Sequence, residues 1–183
     1  MMAERIGHAH PTTSAAQDPA GTVFAALAPT TPWYGTTPIL EGFTWRDCLA
    51  SVREGRWYLV VFRSIRREDA DEALLTAFDD RAYEEAVAST GLLHYFRGHL
   101  DASRACLSFC VWASQAAARA ASRKPQHHAA ARLVQSMYEH YDLERYHLVK
   151  HPGSDAVLLE SVCPDAHMPH RPSPSLPGHL QPC

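Results

Sequence analysis

Long apolar runs are missing from this chain. The longest, Tyr58–Phe62 and Cys106–Ala113, fall far short of the roughly 20 residues that a bilayer-crossing helix needs, so no membrane partner is expected. Residues Met1–Pro11 carry charges and histidines but no apolar leader core, and no secretory signal is expected there. A surplus of positive charge is absent as well. Lys and Arg number 17 against 20 Asp and Glu, for a net charge of −3, and the basic residues are scattered, often beside acids. No basic stripe can track a phosphate backbone, which argues against a nucleic-acid partner. There is no phosphate loop, no Gly-x-Gly-x-x-Gly and no Cys-x-x-Cys. The five cysteines (Cys48, Cys106, Cys110, Cys163, Cys183) are odd in number and irregularly spaced, which predicts reduced thiols and a cytoplasmic protein.

Histidine, by contrast, is plentiful, with 12 in the chain. The pairs His8-x-His10, His127-His128 and His167…His170 match neither the tight spacings of structural zinc nor His-Glu-x-x-His, so no metal is expected. No cofactor is expected either, with a haem on His94 or His127 left open.

A chain of 183 residues has room for one domain with a real core plus appendages. Residues 1–21, rich in Ala, Thr, Pro and His, show no sustained period and read as a disordered segment. Residues 22–56 carry Trp33, Tyr34, Ile39, Leu40, Phe43 and Trp45, which are costly to leave in water, so this stretch reads as a strap packed across the domain, with a short helix around Thr44–Asp47. Residues 57–150 form the main unit: strand Trp57–Ser64, helix Asp69–Thr90, strand Leu92–Arg97, strand Ala105–Trp112, a short helix Ser114–Ser122, helix Gln126–Tyr141 and strand Leu143–Lys150. Gly91 reads as the stop of the first long helix, and Pro125 as the start of the last one. Residues 151–183 read as a mostly flexible extension in which only Ala156–Val162 could extend as a strand.

That order predicts an α+β, ferredoxin-like βαββαβ domain with an antiparallel four-stranded sheet. Helices cover one face of such a sheet, and an exposed opposite face should alternate apolar with polar residues. These strands do not alternate so. Tyr58, Val60 and Phe62 point one way while Trp57, Leu59 and Val61 point the other, and Leu107, Phe109 and Val111 alternate with Cys106, Ser108, Cys110 and Trp112. Both faces therefore read as buried, the open one against either the 22–56 strap or the sheet of a second subunit. Sheet-to-sheet pairing, the dimeric α+β barrel, is the favoured alternative and makes a homodimer the expected state.

The stretches FRSIRREDADEALL, EEAVASTGLLHYFRG, CLSFCVWAS, PQHHAAARL and MYEHYDLERYHLVK resemble an uncharacterised protein family found widely in fungi. Trp112-x-Ser114 followed by Pro125-x-His127 resembles, more loosely, the dimeric α+β barrel superfamily. The closer resemblance brings no assigned activity and no catalytic residues. The wider one implies a range that runs from cofactor-independent monooxygenases and polyketide-type cyclases to haem enzymes and small-molecule sensors.

In folds of this kind a small-molecule cavity sits between sheet and helices, which makes polar strand residues the first candidates. His94 and Tyr95 are adjacent in a strand and so face opposite sides; at most one lines a given cavity. His94 reads as a general base or as a hydrogen-bonded core histidine. His127, in the first turn of the last helix, meets the positive helix end, which favours its neutral form and a base role. Tyr95 could donate to a substrate oxygen or merely pack. Trp112 could wall an aromatic ligand or plug the core. Ser108 could floor a pocket or be a satisfied core hydroxyl, and no His or Asp is placed by sequence to make it a nucleophile. Arg63 could hold a carboxylate or phenolate, or pair with Glu144. Together these residues suggest a protein that binds a small organic molecule. Its function is then a cofactor-independent monooxygenase or cyclase acting on an aromatic or polyketide-like substrate, or a non-catalytic carrier or interaction module.

Overall fold

The strand β1 (Gly55–Arg66) is the spine of the domain, because its β-branched and aromatic run is paired along both edges. In the computed structural model, which describes residues 19–162, β1 lies between β3 (Ala105–Trp112) and β4 (Tyr138–Lys150), antiparallel to each. β2 (Leu92–Phe96) adds antiparallel outside β3, and β5 (Val157–Ser161) outside β4. The sheet order is β2-β3-β1-β4-β5, the ferredoxin-like arrangement extended by one strand. The α+β class and antiparallel sheet read from the sequence are those of the structure; the sheet has five strands rather than four. Of the segment 1–21 expected to be disordered, residues up to Asp18 lie outside the described residues, whereas residues 19–21 open a short helix, and the tail from Cys163 onward also lies outside the described residues.

The helices are α1 (Pro19–Phe24), α2 (Trp45–Cys48), α3 (Glu72–Val87), α4 (Gln115–Ser122) and α5 (Pro125–Met137). Asp71 caps α3 by accepting the Leu74 N–H at 2.9 Å, and Ser114 caps α4 by accepting the Ala117 N–H at 3.1 Å. Gly91, at φ +100°, turns the chain from α3 into β2; a Cβ there would stand 2.8 Å from the Ala117 Cβ, so both backbone angle and space demand glycine.

One boundary differs in kind from expectation. The helix predicted over Gln126–Tyr141 ends at Met137, and β4 starts at once with Tyr138. β1 runs on to Arg66, and its last residues need a partner: Ser64 faces Tyr141, Ile65 faces His140 and Arg66 faces Tyr138. The aromatic Tyr138–Tyr141 run supplies residues suited to a pleated surface, and the backbone pairing outweighs continuation of the helical period.

The sheet's two faces are closed by different parts of the chain. Leu59, Val61, Leu107, Phe109, Val111 and Leu148 form one cluster with Phe24, Leu27, Ile39, Phe43, Trp45 and Leu49. It is the 22–56 segment of the same chain, rather than a second subunit's sheet, that covers this face. The rings of Phe43, Trp45, Phe96 and Phe109 meet edge to face, tilted or stacked, with centroids 4.9 to 6.4 Å apart. Two cations on the sheet fasten the strap. Arg63 donates to the Gly35 and Thr37 carbonyls (2.6 and 3.3 Å) while its Nε bonds Glu144 at 2.6 Å, and the buried Lys150 donates to the Leu49 carbonyl at 2.6 Å. Among the described residues no helix is long and apolar enough to cross a membrane.

Candidate functional site

The opposite face of the sheet, under α3 and α5, is not filled. A cavity of about 770 Å³ lies there, floored by Phe62, Ser64, Cys106, Ser108, Cys110 and Tyr141 and roofed by apolar residues of the two helices. Its position follows from the strand alternation: Phe62 and Ser64 of β1 project to this side, between Ser108 and Cys106 of β3 and Leu143 and Tyr141 of β4. The helix side is a stripe at helical spacing, with Leu75, Asp79, Ala82 and Ala86 from α3 facing Ala130, Ala131 and Val134 from α5.

Of the residues singled out from sequence, Tyr95, Ser108 and His127 line this cavity. His94 does not. It sits on the strap side, its ring centroid 5.9 Å from that of Phe109, and its Nε2 is buried with no partner among the described residues. Burial holds its pKa below the ordinary 6.5. Arg63 is likewise on the strap side, taken up by Glu144 and the strap carbonyls. Trp112 faces the helices but packs with Tyr58, Ala86, Ala118 and Ala121, outside the cavity wall.

Two polar assemblies stand in the cavity wall, and sequence reasoning named only one member of each. In the first, the Tyr95 hydroxyl donates to both oxygens of Asp79 (2.9 and 3.0 Å). Arg97 holds the same carboxylate through Nε at 2.7 Å, and Asp80 through Nη2 at 2.8 Å. Burial, reinforced by the Asp79 charge, pushes the Tyr95 phenol well above its usual pKa, so it stays a donor. In the second, Glu85 of α3 reaches the N-terminus of α5. Its carboxylate accepts the backbone N–H groups of Gln126 (3.1 Å) and His127 (3.2 Å), and it meets His127 Nδ1 at 3.1 Å. Burial opposes a charge at Glu85, but the His127 ring and the two backbone donors outweigh it and hold the carboxyl below its ordinary value.

Neither Asp79 nor Glu85 is among the candidates read from the sequence. The signal that could have found Asp79 is its spacing, four residues after Leu75 and three before Ala82, on the inner stripe. Glu85 has no comparable local signature, since its partner belongs to another helix. Ser108 accepts the Gly98 N–H at 3.1 Å, which fixes the loop at the cavity's edge. Gly98 must be glycine, because a Cβ would fall 1.9 Å from the Leu107 carbonyl oxygen. Burial raises the Cys106 thiol and pushes that of Cys110 up to about 12, so both remain protonated. Among the described residues no group of three or more His, Cys, Asp or Glu side chains is placed to hold a metal ion.

A ferredoxin-like sheet with a roofed cavity between sheet and helices, its other face closed by an N-terminal strap, defines the class of this protein. The chain belongs to the PB2B2.08-like family, whose profile matches residues 8–161. No curated protein matches it. Several solved structures share part of its architecture. The cofactor-independent oxygenase SnoaB from Streptomyces nogalater is 13% identical, with 50% of this chain and 90% of that one covered and a TM-score of 0.41. Protein SO0527 from Shewanella oneidensis is 20% identical over 51% and 92% of the two chains, with a TM-score of 0.45. A dimeric ferredoxin-like protein of unknown function from Thermobifida fusca is 14% identical over 51% and 92%, with a TM-score of 0.43.

Proposed function

We propose that this protein binds a small, largely apolar organic molecule in the cavity between the sheet and helices α3 and α5, with His127 as the base. The observation that carries this reading is His127 itself. It stands at the rim of an apolar cavity, with a carboxylate on its Nδ1. A neutral imidazole held that way keeps its proton on Nδ1 and leaves Nε2 to accept one. Proton removal from an acidic C–H of an aromatic or polyketide-like substrate is the step such a base performs, and the resulting carbanion can react onward by oxygenation or cyclisation. Tyr95, Ser108 and the aromatic rings of Phe62 and Tyr141 would set the substrate's orientation. A homodimer would use a surface other than the strap-covered sheet face.

Deuterium uptake from D2O into a fused-ring aromatic ketone with an acidic C–H tests this reading. The wild-type chain should exceed buffer, and His127→Ala should lose about 10²–10⁴-fold, the usual weight of a positioned base. His94→Phe should retain the rate, because His94 lies on the other face. Loss of rate in His94→Phe with retention in His127→Ala would sink the assignment.

A carrier is the second reading. It is favoured by the Tyr95 hydroxyl being committed to Asp79 rather than offered to the cavity. Ligand binding with no deuterium uptake in any variant would decide for it.

A further inference from the structure

Arg66 closes β1 at the end of the cavity opposite His127, in the company of Glu72, Cys106 and Tyr138. From His127 to the end of α5 at Met137, beside Tyr138, is about 15 Å at the helical rise. The lining between the two ends is mostly apolar: Phe62, Leu75, Ala131 and Val134.

The side chain of Arg66 is only 18% exposed, yet its hydrogen bonding is incomplete. Its Nη1 is held by Glu72, and its Nε is buried with no partner among the described residues. A buried donor left unpaired costs about 1–3 kcal/mol, and more on a charged group. The other arginine of the cavity wall is different, since Arg97 has Asp79 on Nε and Asp80 on Nη2. The carboxylate that Arg66 does hold comes from the first turn of α3, and its side chain is 61% exposed. Glu72 can therefore swing into water at little cost, whereas the guanidinium cannot. Tyr138 lies opposite Arg66 across the β1–β4 pair and lines the same end of the cavity.

We infer that the cavity takes a ring-bearing carboxylic acid, whose carboxylate displaces Glu72 and engages Arg66 through the Nε–H that Glu72 leaves unpaired. This inference rests on reading the cavity as the ligand site. Two oxygens of one planar anion match the two parallel N–H groups along a guanidinium edge, which a single neutral acceptor does not. A monoanion suits the charge balance, because one arginine released from one glutamate offers a single positive charge. The body of the acid then lies along the apolar lining, towards His127.

The test is fluorescence titration of the full chain with 9-anthracenecarboxylate and with its neutral counterpart, 9-anthracenemethanol. The wild type should bind the acid about tenfold or more tightly than the alcohol, the worth of a charge-assisted pair. Glu72→Gln should tighten the acid further and leave the alcohol unchanged. Arg66→Met should bring the two to equal affinity. Equal affinities in the wild type, or no gain for the acid in Glu72→Gln, overturn the inference while leaving the cavity as a ligand site. Binding of neither compound overturns both. The wild type and Glu72→Gln decide the matter even where Arg66→Met fails to fold.

Discussion

Glu85 meets His127 twice, through the ring and through the backbone N–H, and also accepts the N–H of its neighbour Gln126. One carboxylate therefore orients the candidate base, caps α5 and ties α3 to α5. The pairing makes function and helix docking inseparable at this point.

The pH response of that junction has a definite sign. Glu85 is held below its ordinary value of 4.5, so the stability it contributes is present above that pH and is lost as pH falls through the lowered folded value. In Glu85→Gln the acid limb of a denaturation midpoint against pH should be flatter than in the wild type, and the midpoint at pH 7 should be lower. An unchanged acid limb would count against the junction.

His94 has a buried Nε2 with no hydrogen-bond partner among the described residues. Its pKa is depressed from 6.5, so the folded chain keeps it neutral while the unfolded chain takes up a proton. Its contribution is full above pH 6.5 and falls as pH drops through that value towards the folded pKa. His94→Phe should therefore lose less stability than the wild type between pH 8 and pH 5.5 when both are unfolded in urea.

The strap should carry a large share of the stability. Phe43 is 2% exposed and touches Tyr34, Trp45, Phe96 and Phe109. Phe43→Ala should cost about 3–5 kcal/mol in urea unfolding, as truncations of buried aromatics do. A loss below about 1 kcal/mol would mean that the strap is loosely held.

Thiol chemistry offers a check that needs no mutation. Burial raises the pKa of Cys48, Cys106 and Cys110 alike. Peptide-resolved iodoacetamide labelling at pH 8 should leave all three unmodified in the native chain and label them in denaturant. A ligand seated in the cavity should slow Cys106 labelling further under partly denaturing conditions.

Much of this architecture was legible in the residues. The β-branched run after Trp57, the Gly91 stop and the Ala105–Trp112 strand carry local signals strong enough to order the elements, and two apolar faces per strand announced that both sides of the sheet are covered. What covers the open face was not legible. Apolarity is the same whether the cover is a strap or another subunit, and only the contacts of Phe43 and Trp45 with Phe109 distinguish them. The start of β4 was missed for a related reason, since Tyr138 becomes a strand residue only because Arg66 lies opposite. Within the candidate site, alternation along β2 separated His94 from Tyr95 correctly. The inner-stripe position of Asp79 is readable from its spacing to Leu75 and Ala82, whereas the reach of Glu85 to α5 is encoded by no spacing in the chain.

The strap also sets the order in which the chain can become secure. Phe24, Phe43 and Trp45 leave the ribosome ahead of every strand, yet the surface they cover is complete only when β3 has paired with β1. A nascent chain thus presents these aromatics before the strands that shelter them, through contacts of long sequence separation that form slowly. Until β3 pairs with β1, the surface that buries the strap's aromatics is incomplete. Chaperone occupancy during translation should concentrate on the strap.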